Sequence, residues 1–145
     1  MLDRYEQELE IFNRSAYPNV NFLHQALETQ IPGADFEAIY CFNAINHVAD
    51  WERALDVLTA AAAPSARMIL TSDVHRHRWL QPVFRLLPGD LLHPQQHGPE
   101  AYRSALTNRG WIVEQETVLK REAIFNYVAW VARLRNKVLR GRSEP

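Results

Sequence analysis

The spacing of apolar positions changes several times along the chain, and each change predicts an element. Leu2, Tyr5, Leu9 and Phe12 recur at three- and four-residue spacing among charges, which predicts an amphipathic helix. Pro18 breaks it. Residues 20–23 predict a short strand, with Val20 and Phe22 on one face and Leu23 on the other, followed by a loop over 24–32. Residues 36–42 are apolar at most positions, which predicts a strand buried on both faces. Asn43 and Asn46 end that run, and Asp50 caps a helix predicted over 51–63. Trp51, Leu55 and Leu58 line one side of this helix, and Ala54 and Ala61 allow close packing. Pro64 and Ser65 stop it, and residues 67–72 predict a second buried strand. Strand, helix, strand in that order predicts a right-handed crossover joining two parallel strands.

Residues 73–97 form a long irregular segment holding Trp79, Phe84, Leu86 and Leu87, so parts of it are expected to be helical and packed. Segments of this length in a compact domain commonly serve as lids or binding loops. Pro99 and Gly110 frame a helix over about 99–109. Residues 111–119 alternate in polarity and 124–134 are apolar and aromatic; the short connection 120–123 predicts an antiparallel hairpin. Arg133, Arg135, Lys137, Arg140 and Arg142 make a basic tail. The expected organisation is one domain over 1–134 and a C-terminal tail over 135–145.

Composition narrows the picture. With 145 residues, 47% of them hydrophobic, the chain can bury one real core. A formal net charge of -1 removes any global pull toward nucleic acid, and no aromatic platform is interleaved with the basic tail, so nucleic acid is not an expected partner. No apolar run approaches the roughly 20 residues that span a bilayer, and the first ten residues are mostly charged. The expectation is a soluble, cytoplasmic protein with no membrane partner. Cys41 is the only cysteine, which excludes an intramolecular disulfide; inside a strand it reads as a small buried hydrophobe.

Candidate chemistry gathers past the carboxyl ends of the two parallel strands, where open α/β sheets bind ligands. Asn43 and His47 follow the first. His75, Arg76, His77, Arg78 and Trp79 follow the second, as substrate contacts or as a solvated positive loop. His75 with His77, and His93 with His97, have spacings that transition metals can use. The spacing is unspecific and no cysteine joins in, so no metal site is assigned.

The segment 35–50, Asp-Phe-Glu-Ala-Ile-Tyr-Cys-Phe-Asn-Ala-Ile-Asn-His-Val-Ala-Asp, resembles the fourth-strand region of class I S-adenosylmethionine-dependent methyltransferases. Asn-Val-Asn-Phe-Leu-His-Gln-Ala (19–26) is similar to that family's third strand and adenine-contacting turn. Residues 63–70, with Pro64 and Ser65 where the family usually carries Pro-Gly-Gly, resemble the lead into its fifth strand. His93-Pro94, the following helix and Gly110-Trp111 resemble the approach to its sixth. The implied fold is α/β: a truncated Rossmann-like methyltransferase sheet of parallel strands plus a C-terminal antiparallel hairpin, with helices on both faces and five strands at most. The implied cofactor is S-adenosylmethionine, with Gln25 and Ala26 at adenine and Asn43 and Ala44 at the methionine end. His47, His75, His77 and His93 are the implied substrate-side residues, and the implied partner is a small-molecule methyl acceptor. No catalytic residue is assigned. Bland alternatives stand beside these: Gln25 as an exposed loop residue, Asn43 as a strand terminator, His47 as packing.

The sequence also departs from the family. Its glycines fall at 33, 89, 98, 110 and 141, and no two make the glycine-rich turn that holds the cofactor after the family's first strand. No carboxylate stands at the end of a second strand. The resemblance implies that strand 36–42, normally neighboured by that first strand, has an open edge, which residues 20–24, a second copy of the chain or a complementing chain would cover.

Overall fold

The structure, a computed structural model, describes residues 13–31, 33, 35–76 and 97–136. Four strands form one mixed sheet: β1 (Phe36–Phe42), β2 (Ala62–His75), β3 (Trp111–Arg121) and β4 (Phe125–Leu134), in the order β1-β2-β4-β3. β1 and β2 run parallel, with Ile39 beside Met68 and Phe42 beside Thr71. β4 pairs antiparallel with both β2 and β3, so the closing hairpin is as the sequence predicts.

Two helices pack on the sheet. α1 (Trp51–Ala61) starts where Asp50 accepts a hydrogen bond from the Arg53 N–H at 2.9 Å. Its apolar stripe buries Trp51, Ala54, Leu55 and Leu58 against Ile39, Cys41, Met68 and Leu70. α2 (Pro99–Asn108) has proline in its first turn and is followed by Gly110 at φ 88, a left-handed conformation that costs glycine nothing. It adds Tyr102, Ala105 and Leu106 to the same core, where the Tyr102 ring lies 5.1 Å from those of both Trp51 and Trp130. Arg109 ties the two helices together: it donates to Asp56 Oδ1 at 2.7 Å and to the Glu52 and Ala105 carbonyls at 3.0 Å.

Both described helices therefore cover one face of the sheet. Helices on both faces remain the expectation of the fold; the helix predicted from Leu2 to Phe12, and residues 77–96 of the 73–97 segment, lie outside the described residues. On the opposite face, Ala38, Tyr40 and Phe42 of β1 stand exposed.

Three sequence expectations are corrected. β1 is buried on one face and not on both, because no described element packs over Ala38, Tyr40 and Phe42. Residues 20–23 form no strand: Val20, Phe22 and Leu23 are exposed and irregular, because a lone strand with no neighbour to share its hydrogen bonds is not stable. The second strand is 14 residues long rather than the six of 67–72. Its far end is drawn out by pairing, since Asp73, Val74 and His75 lie beside Tyr127, Asn126 and Phe125 of β4. Its near end includes Ser65 at φ 64.

Candidate functional site

The turn over 43–50 leaves the carboxyl end of β1, and its backbone is held from several directions. Asn43, at φ 47, donates its N–H to the Thr71 hydroxyl at 2.9 Å and the Thr71 carbonyl at 3.1 Å. The Thr71 hydroxyl also bonds the Tyr127 hydroxyl at 2.6 Å, so β1, β2 and β4 are linked beneath the turn. The N–H groups of Ala44 and Ile45 bond the Cys41 sulfur. His47 N–H donates to the Ala44 carbonyl at 3.1 Å. Glu28 accepts from the N–H groups of Ala49 at 2.9 Å and Asp50 at 3.2 Å.

Glu28 is the contact that sequence reasoning missed. Through it, the loop carrying Gln25 and Ala26 is anchored to the turn carrying Asn43, Ala44 and His47. Gln25 is exposed and its amide donates to the Gln30 carbonyl at 3.5 Å. Asn43 and His47 are exposed and Ala44 is half-buried. His75 sits elsewhere from its expected place: as a β2 strand residue it is 3% exposed, its ring 4.7 Å from that of Phe125. It therefore belongs to a packed sheet and not to a loop after the strand. His77 and His93 lie outside the described residues.

A second missed residue is Asn46. It is 1% exposed, and neither its amide nitrogen nor its amide oxygen has a hydrogen-bond partner among the described residues. Buried amides are nearly always paired, so an orphaned one just past the carboxyl end of β1 stands out. The only sequence signal was its position in a polar triplet with Asn43 and His47.

Beneath the turn lies a protonated, uncharged cluster. Burial pushes the Cys41 thiol from 9.0 up to about 11, against the lowering effect of its two N–H bonds. Burial likewise pushes Tyr102 from 10.0 up to about 12, although the Ser72 hydroxyl donates to its oxygen at 3.1 Å. Neither group is a nucleophile or base near neutral pH. Among the described residues, no group of three or more His, Cys, Asp or Glu could hold a metal ion. No helix among them is long and apolar enough to cross a membrane. A groove of about 500 Å³ runs along α1 between Ile31, Arg53, Val57 and Ala60, on the flank of the helix and not at the strand ends.

The arrangement defines a class of fold. Two adjacent parallel strands joined through a helix, then an antiparallel hairpin with the last strand inserted beside the second, is the fold of class I S-adenosylmethionine-dependent methyltransferases. Comparison with solved structures places the chain there. The [4+2]-cyclase SpnF superposes with a TM-score of 0.67 at 13% identity, over 93% of this chain and 61% of the cyclase. The YcgJ protein of Bacillus subtilis gives 0.65 at 13% identity, over 92% and 76%. Magnesium protoporphyrin IX methyltransferase (ChlM) of Synechocystis, solved with bound S-adenosylhomocysteine, gives 0.59 at 18% identity, over 92% and 57%. This chain thus spans about three fifths of the cyclase and of the porphyrin methyltransferase. No protein-family profile and no curated protein matches the sequence. Identities this low establish the fold alone, and one of these neighbours is a cyclase by name, so the fold hosts more than one chemistry.

The described residues do not by themselves fit the methyl donor. Its amino-acid and ribose ends call for free backbone donors on a glycine turn and for a carboxylate. In the 43–50 turn, the N–H groups of residues 43, 44, 45, 47, 49 and 50 are already spent within the chain. Of the turn's polar side chains, Asn43 and His47 are exposed and Asn46 is buried.

Proposed function

We propose that this chain is the substrate-side half of an S-adenosylmethionine-dependent methyltransferase acting on a small molecule. The observation that supports it best is the rigid polar turn past the carboxyl end of β1, in a sheet whose order matches that fold. On this reading Gln25, Ala26, Asn43 and Ala44 lie on the cofactor's side, and His47, with the packed His75 and with His77 and His93, on the acceptor's. Methyl transfer needs mostly positioning and exclusion of water, which a pinned turn supplies. The absent cradle makes the chain inactive alone; a strand–glycine turn–helix segment completes it. The reading is of a cytoplasmic protein, in keeping with its single buried thiol.

Calorimetric titration with S-adenosylhomocysteine tests both parts. The chain alone is expected to bind nothing at micromolar concentrations. Fusion to the amino-terminal half of a class I methyltransferase is expected to create binding that Asn43→Ala weakens. Micromolar binding by the chain alone overturns its incompleteness. No binding by a folded fusion overturns the methyltransferase reading.

The exposed side of β1 favours a second reading, a non-catalytic module that binds a partner through this edge. Among the described residues β1 pairs only with β2. A thermal-stability screen of the fusion separates the two: S-adenosylhomocysteine stabilises a methyltransferase half completed in this way and leaves a non-catalytic module unchanged.

A further inference from the structure

Among the described residues, the 38–42 stretch of the β1 edge carries none of the side-chain devices that keep sheet edges apart. The strand's sequence, Phe-Glu-Ala-Ile-Tyr-Cys-Phe, contains no lysine, no arginine and no proline. Its one irregularity falls between Phe36 and Ala38, leaving 38–42 straight. Along that stretch Ile39 and Cys41 face the core, while Tyr40 and Phe42 are 64% and 60% exposed, with their rings 5.8 Å apart.

The straight stretch is complementary to itself. An antiparallel pair of β1 strands related by a two-fold axis at Tyr40 sets Tyr40 beside Tyr40 and each Ala38 beside the other copy's Phe42. The small side chain leaves room for the large one, and the two tyrosines stack at the axis. Charge selects the same direction. Asp35 and Glu37 both lie at the start of the strand. Parallel pairing would set these carboxylates alongside their copies, whereas antiparallel pairing sends them to opposite ends. We propose that the occupant of this edge is a second copy of the chain, joining the four described strands of each copy into one sheet across a two-fold axis at Tyr40. This deepens the second reading above by naming its partner.

The area sets the strength. The exposed parts of Tyr40, Phe42 and Phe36 come to roughly 300 Å² per copy, against about 800 Å² per partner in a stable interface. The dimer is therefore weak, with dissociation on the order of 10–100 µM.

Sedimentation velocity of the full chain across that range is expected to show a concentration-dependent rise from monomer to dimer, lost in Tyr40→Lys. Cysteine substitution tests the register, because directly opposed antiparallel residues sit at disulfide distance. Tyr40→Cys is expected to form a covalent dimer under air oxidation. Phe42→Cys alone is not, and Ala38→Cys with Phe42→Cys is. Wild type, with only the buried Cys41, is the blank. All four variants change exposed positions, and circular dichroism confirms folding. A chain that stays monomeric at 100 µM, or Tyr40→Cys that does not cross-link while folded, overturns the proposal. So does dimerisation that Tyr40→Lys leaves unchanged. These outcomes are independent of S-adenosylhomocysteine binding by the fusion, so failure of the dimer and failure of the methyltransferase reading are separately visible.

Discussion

Replacing Asn46 by leucine is expected to stabilise the protein, unlike most core substitutions. The asparagine is 1% exposed, and both heads of its amide lack a partner among the described residues. Leaving a buried donor or acceptor unmade costs about 1–3 kcal/mol each. Leucine has nearly the same branched shape and carries no polar atom, so Asn46→Leu removes both penalties. Some of this is offset by the extra volume, at about 1 kcal/mol. The net expectation is a gain of about 1–5 kcal/mol, or a Tm rise of roughly 3–15 °C for a domain of this size. Thermal and urea unfolding measure it. Asn46→Asp, of the same shape but charged, is expected to fall well below wild type at pH 7, because a lone carboxylate is costly to bury. A lower Tm in the leucine variant would refute the reasoning: the amide would then be satisfied in solution, by a bound water for instance.

Other perturbations follow from the same structure. Ser65→Gly relieves a left-handed residue at φ 64 and is expected to gain about 0.5–1 kcal/mol in urea unfolding, after loss of the exposed Ser65–Asn136 hydrogen bond. Arg109→Leu removes the clamp between α1 and α2; since Asp56 and Glu52 are more than half exposed, the expected loss is about 1–3 kcal/mol, most of it from unpaired carbonyls. Stability is expected to decline in alkali. Folding raises Cys41 from 9.0 to about 11 and Tyr102 from 10.0 to about 12, so their contribution is complete below pH 9 and is lost as pH climbs through 11 and 12. Each accounts for about 2–3 kcal/mol at most. In urea unfolding across that range, Cys41→Ala is expected to flatten the loss between pH 9 and 11 and leave the later one.

Elements announced by local chemistry were legible in the sequence. Asp50 capping α1, Pro99 and Gly110 bracketing α2, and the short link in the β3–β4 hairpin act within a few residues of one another. What needed distant partners was not. Polar Asp73 and His75 do not look like strand, and only pairing with β4 makes them so. Residues 20–23 look like strand and are not, for want of a neighbour. The polar residues Asn43, Asn46 and His47 marked where β1 ends and the turn begins. Glu28 bonding Ala49 and Asp50 spans more than 20 residues, and nothing in its own neighbourhood foretells it.

The β1 edge left unpaired among the described residues and the candidate site are not separate features, because β1 carries both. The proposed two-fold axis lies at Tyr40, three residues before Asn43, so whatever pairs with β1 also stands beside the turn that holds Asn43 and His47. An occupant of the edge therefore forms one wall of any pocket at the strand end. If a ligand bridges that wall and the turn, it binds the assembled form better than the free chain, and linkage then requires the ligand to tighten assembly by the same factor. A second copy and a complementing strand–turn–helix segment compete for the same hydrogen bonds along β1. The fusion that restores S-adenosylhomocysteine binding should therefore abolish the Tyr40→Cys cross-link. A fusion that both binds and cross-links would show that the two do not share this edge.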